Sequence, residues 1–141
     1  MSREHKFEII EHTADVGVAG TGETKAEAFE NIAYGMFSIM AELGKHSPTD
    51  TITVEAEGDD DIDLLERFLS SLIVLFDGEG VLPLDFEISK MIEGCLTCSV
   101  AVRPIGEDIE WLGPSIKAVT YHHMDVARQE GRWRAQAIFD V

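Results

Sequence analysis

The chain has 141 residues, 27 acidic and 11 basic, for a formal net charge of −16. Nucleic-acid affinity rests on neutralising phosphates with Lys and Arg, so strong direct binding to RNA or DNA is not expected, and basic proteins and divalent cations become the natural partners. A hydrophobic fraction of 45% supports one folded domain over residues 1–141, and the apolar runs fall far short of the ~20 residues that cross a membrane. With two cysteines, and an N-terminus (Met1 to Lys6) lacking the apolar centre of a signal peptide, the composition points to a reducing, cytoplasmic setting.

Residues 6–11 alternate as a strand with one buried face. The connection that follows, Glu11-His12-Thr13-Ala14-Asp15, is unusual in composition. Most strand connections are built from Gly, Pro and Asn, whereas here nearly every side chain can donate, accept, titrate or ligate. Val16 to Gly20 reads as a second strand, whose glycines predict close backbone approach or a bulge. Thr24 and Glu27 have capping-box spacing and open an amphipathic helix carrying Phe29, Ile32, Ala33, Met36, Phe37 and Met40, expected to end near Leu43-Gly44. Thr51 to Ala56 alternates as a strand. Asp59 to Asp61 load acid onto the start of a second helix, through Leu65, Leu69, Ile73 and Phe76, ending at Asp77-Gly78. This helix is the more apolar of the two and is expected to be the more central.

Pro83 is expected to break regularity before a hairpin of Leu84–Met91 and Cys95–Val102, turning at Glu93-Gly94. Ile116–Tyr121 and His123–Ala127 read as strand material, and Gln129-Glu130-Gly131 turns into a last strand, Trp133–Val141. Two long amphipathic helices and roughly seven strands, mixed rather than alternating, predict an α+β fold with a mainly antiparallel mixed sheet in which the N- and C-terminal strands are adjacent.

Several clusters invite a chemical reading. Cys95 and Cys98 have metal-like spacing, but a structural zinc site needs four ligands, and strand residues three apart face opposite ways; ordinary buried thiols are the better reading. Asp59, Asp60, Asp61 and Asp63 lack the glycine and closing glutamate of a calcium loop and read as a solvated helix start. Tyr121 and His123 are expected on one face of a strand, with Thr120 and His122 on the other. The terminal strands offer more. If they are neighbours, Asp15, Asp140 and the Val141 carboxyl group converge on one hard cation, Ca²⁺ or Mg²⁺ rather than a softer metal. His12 could add a ligand or order the loop by hydrogen bonds. Beside this stands the plain reading, in which Asp15 caps a turn and Asp140 is a polar edge residue.

Three blocks carry a resemblance: Glu11-His12-Thr13-Ala14-Asp15-Val16-Gly17, Lys117-Ala118-Val119-Thr120-Tyr121-His122, and Phe139-Asp140-Val141. Together with Ala26-Glu27-Ala28-Phe29 and Leu75 to Gly80, they make the whole chain resemble the archease family. The resemblance implies a non-enzymatic accessory protein that promotes guanylylation and repeated turnover of an RtcB-type RNA ligase. Such ligases join 3′-phosphate or cyclic-phosphate ends to 5′-hydroxyl ends in tRNA splicing and RNA repair. It also implies metal ligation by Asp15, Asp140 and the carboxylate of Val141, with calcium the usual occupant and Mg²⁺ or Mn²⁺ as substitutes. Lys117 and His122 match the late motif without an assigned role, and His123-Met124-Asp125 departs from the pattern. Archeases have also been likened to chaperones and linked to tRNA modification. A different class of function, a metal-dependent phosphoester hydrolase with His12 as base, is the alternative from the residues.

Overall fold

The computed structural model describes residues 4–11 and 15–141. In chain order the elements are β1 (Phe7–Glu11), β2 (Val16–Gly22), α1 (Lys25–Ser38), a 3₁₀ turn (Leu43–Lys45), β3 (Asp50–Glu57), α2 (Asp61–Glu79), β4 (Val81–Ile92), β5 (Cys95–Pro104), β6 (Ala118–Gln129) and β7 (Arg132–Asp140). Both helices start where side chains replace missing backbone partners. Thr24 Oγ1 accepts from the Glu27 N–H at 3.0 Å, and Glu27 accepts in return from the Glu23 N–H at 3.0 Å. Asp60 caps α2 by accepting from the Asp63 N–H at 2.8 Å, and Asp63 accepts from the Asp59 N–H at 2.9 Å. The acidic run thus caps the helix that it was expected to open.

The strands form two separate sheets rather than one. The first is four-stranded in the order β1-β2-β7-β6, the second three-stranded in the order β3-β5-β4, and the described pairings are all antiparallel. The two terminal strands share the first sheet, with β2 between them and bonded to both. Each helix packs against strands of both sheets. The reason is burial: nine of the 14 residues of α1 are buried, against eight of the 19 in α2, so α1 needs cover on more than one side. This reverses the expected ranking, and α1 is the more enclosed helix. Ring contacts between Phe29 and Phe68 (6.3 Å) and between Phe37 and Phe76 (5.8 Å), with a Lys25–Asp61 ion pair at 2.8 Å, set the helices side by side in the same direction. β2 approaches α1 closely, as its glycines predicted: a Cβ on Gly20 would lie 2.3 Å from Ile32 N and 2.6 Å from Ala28 O.

Three expectations are corrected. α1 stops at Ser38, not near Leu43-Gly44: Met40 and Ala41 are buried beyond the helix, and Leu43 is buried at the start of the separate 3₁₀ turn. Pro83 lies within β4, at a register shift between Pro83 and Asp85, and its missing N–H is tolerated because β4 is an edge strand. β6 is one strand with a register shift between Thr120 and Asp125, where His123 takes φ of 59°. Strict alternation fails there, and the rings of His122 and His123 lie 4.0 Å apart, centroid to centroid.

Candidate functional site

Strand register builds the candidate site. Val16 pairs with Phe139 and Ala118 pairs with Asp140, so Asp15 precedes the first residue of β2 opposite the end of β7, and Lys117 precedes the first residue of β6 at the same end. The Lys117 N–H donates to the Asp140 carbonyl at 2.8 Å, fixing that corner. Asp15 and Val141 are half-buried, whereas Asp140 and Lys117 are exposed. From the sequence, Asp15, Asp140 and Val141 are expected to converge if the end strands are neighbours; the strands that pair are β2 and β7, and their register sets Asp15 and Asp140 at one sheet end. His12 lies outside the described residues.

The C-terminal end of α1 adds its own field near this end. Met40, just beyond α1, accepts from the Leu112 N–H at 2.8 Å through its carbonyl, and its Sδ lies 3.4 Å from the Ile116 nitrogen, next to Lys117. A helix C-terminus carries a partial negative charge, and the last turn of α1 has no basic residue to offset it. Lys117 apart, the charged side chains that the register brings to this corner are those of Asp15 and Asp140, hard oxygen donors whose chemistry fits a Ca²⁺- or Mg²⁺-type ion. Among the described residues no three His, Cys, Asp or Glu side chains form a metal-holding group, so the set depends on Asp15, Asp140 and the carboxyl group of Val141.

Other residues singled out from the sequence fall elsewhere. His122 is exposed on the β6 bulge, where its N–H donates to Thr120 Oγ1 at 3.0 Å. The Tyr121 hydroxyl lies 3.0 Å from Asp63 and 3.4 Å from Glu66 on α2, and its pKa is pushed up to about 12 by desolvation and these carboxylates. Cys95 is exposed and Cys98 buried, on opposite faces of β5 as alternation requires. A cavity of about 460 Å³ between Glu55, Lys90 and Thr97 lies on the second sheet toward the N-terminus of α2, away from the Asp15–Asp140 corner.

Some polar positions gave no sequence signal. His5 stacks on Tyr34 with ring centroids 3.7 Å apart, and its nitrogens lie 3.2 Å from Asn31 Oδ1 and 3.5 Å from Asp85. Glu30 is buried and accepts from the Ile88 N–H at 2.7 Å, tying α1 to β4. His5 thus meets α1 as well as Asp85 of β4, and Glu30 meets β4, contacts that only the packed molecule brings about.

This arrangement defines a small acidic α+β protein whose candidate site is an open sheet end rather than an enclosed cleft. The Archease protein family (MTH1598/TM1083) model matches residues 7–141. The chain is 37% identical to protein archease of Pyrococcus abyssi, covering 96% of this chain and 99% of that one. It is 39% identical to protein archease of Thermococcus gammatolerans, with the same coverage of 96% and 99%. Its fold is similar to the solution structure of Methanobacterium thermoautotrophicum protein 1598, with a TM-score of 0.85, 30% identity, and coverage of 96% and 98%. A Thermotoga maritima archease, described as a possible chaperone, shares the fold at a TM-score of 0.66 and 20% identity, with coverage of 99% and 100%. The chain belongs to the archease family.

Proposed function

We propose that this chain is a non-enzymatic, cytoplasmic accessory protein that activates an RtcB-type RNA ligase in tRNA splicing or RNA repair. It promotes the ligase's guanylylation and repeated turnover. A divalent cation, Ca²⁺ in preference to Mg²⁺ or Mn²⁺, is held by Asp15, Asp140 and the carboxyl group of Val141. Bound there, the cation supplies a hard Lewis-acidic charge at the surface offered to the ligase. The observation that carries this reading is the β2–β7 register, which brings Asp15 and Asp140 to one sheet end. Family membership supports the accessory role, and the net charge of −16 favours docking on a basic, RNA-binding protein surface over gripping RNA directly.

The test is multiple-turnover RNA ligation by a cognate RtcB-type ligase with GTP and its metal, with and without this protein. Substoichiometric stimulation, lost in Asp140→Asn with folding intact, is expected. No stimulation by the wild-type chain would overturn the reading. Turnover of phosphoesters by the isolated protein with metal would favour the hydrolase instead.

A further inference from the structure

The segment from Ile105 to Lys117, which joins the two sheets, is held firmly against the C-terminal end of α1. Ile109 and Ile116 are buried, Trp111 forms a bridge with Ala41, and Leu112 is bonded to Met40 at 2.8 Å. Its start is pinned by a two-pronged ion pair from Arg103 to Asp108, at 2.7 and 2.9 Å. Yet this fixed backbone turns two large apolar side chains outward, Trp111 at 42% and Leu112 at 56% exposure. The indole is kept from swinging freely by an edge-on contact with Phe76, at 5.9 Å. Ile9, Val74, Ile92 and Tyr121 are also exposed, but they come singly from β1, α2, β4 and β6.

The surroundings indicate what covers this pair. Glu107 and Glu110 lie in the same segment, and Asp77 and Glu79 end the helix that carries Phe76. An apolar tip among carboxylates is complementary to an apolar pocket rimmed by Lys and Arg. Binding energy in such interfaces concentrates in a few rigid aromatic and aliphatic anchors at the centre, and charges at the rim steer the approach. The segment also leads through Ile116 into Lys117 and the Asp140 carbonyl, so the tip is continuous with the candidate cation corner.

We propose that Trp111 and Leu112 are the anchor by which this end of the protein docks on its ligase, in a basic-rimmed apolar pocket beside the ligase active centre. The proposal rests on the ligase reading above and adds a division of labour. Trp111 and Leu112 set affinity, and Asp15 and Asp140 set the extent of stimulation.

The experiment titrates wild-type protein, Leu112→Ser, the double variant Trp111→Ala/Leu112→Ser and Asp140→Asn into the ligation assay. The double variant should need a roughly 30-fold higher concentration for half-maximal stimulation and reach the same plateau. Leu112→Ser should shift the same way by less; its side chain is more than half exposed, so the fold does not depend on it. Asp140→Asn should fail to stimulate yet compete with the wild type, and the double variant should not compete at that concentration. Half-maximal concentrations unchanged in both anchor variants would overturn the proposal. So would a lowered plateau at unchanged half-maximal concentration, because the loop would then act on turnover rather than affinity. A wild-type chain without effect on the ligase would refute the functional reading itself, an outcome visible before any variant is added.

Discussion

Replacing Gly20 by Ala tests how closely the first sheet and α1 are packed. The added Cβ would meet Ile32 N at 2.3 Å, Ala28 O at 2.6 Å and Asn31 C at 2.9 Å. All three are backbone atoms of α1, so no side chain can turn aside; the helix must retreat by about 1 Å to restore ordinary contact. Overpacking of this kind costs about 1–3 kcal/mol, and the upper part of that range applies because a whole element moves. Restricting the unfolded chain returns about 0.4–1 kcal/mol. The net loss should be about 2 kcal/mol, or roughly 4–8 °C in Tm for a chain of this size. Urea denaturation measures it as a lower midpoint at unchanged slope. Gly78→Ala is the control with opposite sign: nothing lies within 4 Å of the new Cβ in the last turn of α2. It should stabilise by about 0.5–1 kcal/mol. A Gly20→Ala variant within about 0.5 kcal/mol of wild type would refute the packing argument.

Calorimetric titration with CaCl₂ should show binding that weakens at least roughly tenfold in Asp15→Asn and in Asp140→Asn, and equal affinity in all three proteins would remove the cation site. The Asp59 N–H and the Tyr121 hydroxyl hold the Asp63 carboxyl below the ordinary carboxylate range. Its folded-state pKa is depressed, so its stabilisation is present above the ordinary value and is lost as pH falls through the lowered one. Asp63→Asn should therefore flatten the fall in denaturation midpoint below about pH 4, and a steeper fall would contradict the assignment. Tyr121 shows the reverse sign. With its pKa raised to about 12, its contribution is complete below the ordinary phenol value of 10.0 and fades as pH rises toward 12. Ultraviolet titration of Tyr121→Phe should lose a late-ionising phenol, and loss of an ordinary one would argue against the contact with Asp63.

Local signals in the chain were the most legible. Thr24 with Glu27 marked the start of α1 because capping depends on residues three apart, and Gln129-Glu130-Gly131 marked a hairpin turn in which Glu130 and Gly131 both take positive φ. Glycine spacing in β2 foretold the close approach to α1. The end of α1 was misread because Met40, Ala41 and Leu43 are apolar for burial under the loop at Trp111, and periodicity records burial whatever the backbone does. The second sheet was not legible either. Nothing in the alternation of β3 or β5 says which strands they pair with, and nothing local marks Glu30 as buried against β4. At the site, Asp15 and Asp140 could be matched because each adjoins a strand whose apolar pattern is plain. The approach of the C-terminal end of α1 could not, since helix direction relative to a sheet end is a property of the packed molecule. Trp111 and Leu112 fell in a stretch without periodicity and carried no signal at all.

The position of β2 between β1 and β7 has a consequence for how the molecule comes into being. Residues 25–104, both helices and the whole second sheet, are contiguous and can assemble as they leave the ribosome. The β1–β2 hairpin cannot complete its sheet until β7 follows, and at ordinary synthesis rates that takes on the order of ten seconds. Through that interval one edge of β2 lacks its strand, and Val18 and Ala19 await their partners Ala137 and Gln136. Until β7 arrives that edge is open to mispairing, and the same strand that closes the sheet also delivers Asp140 to the candidate site.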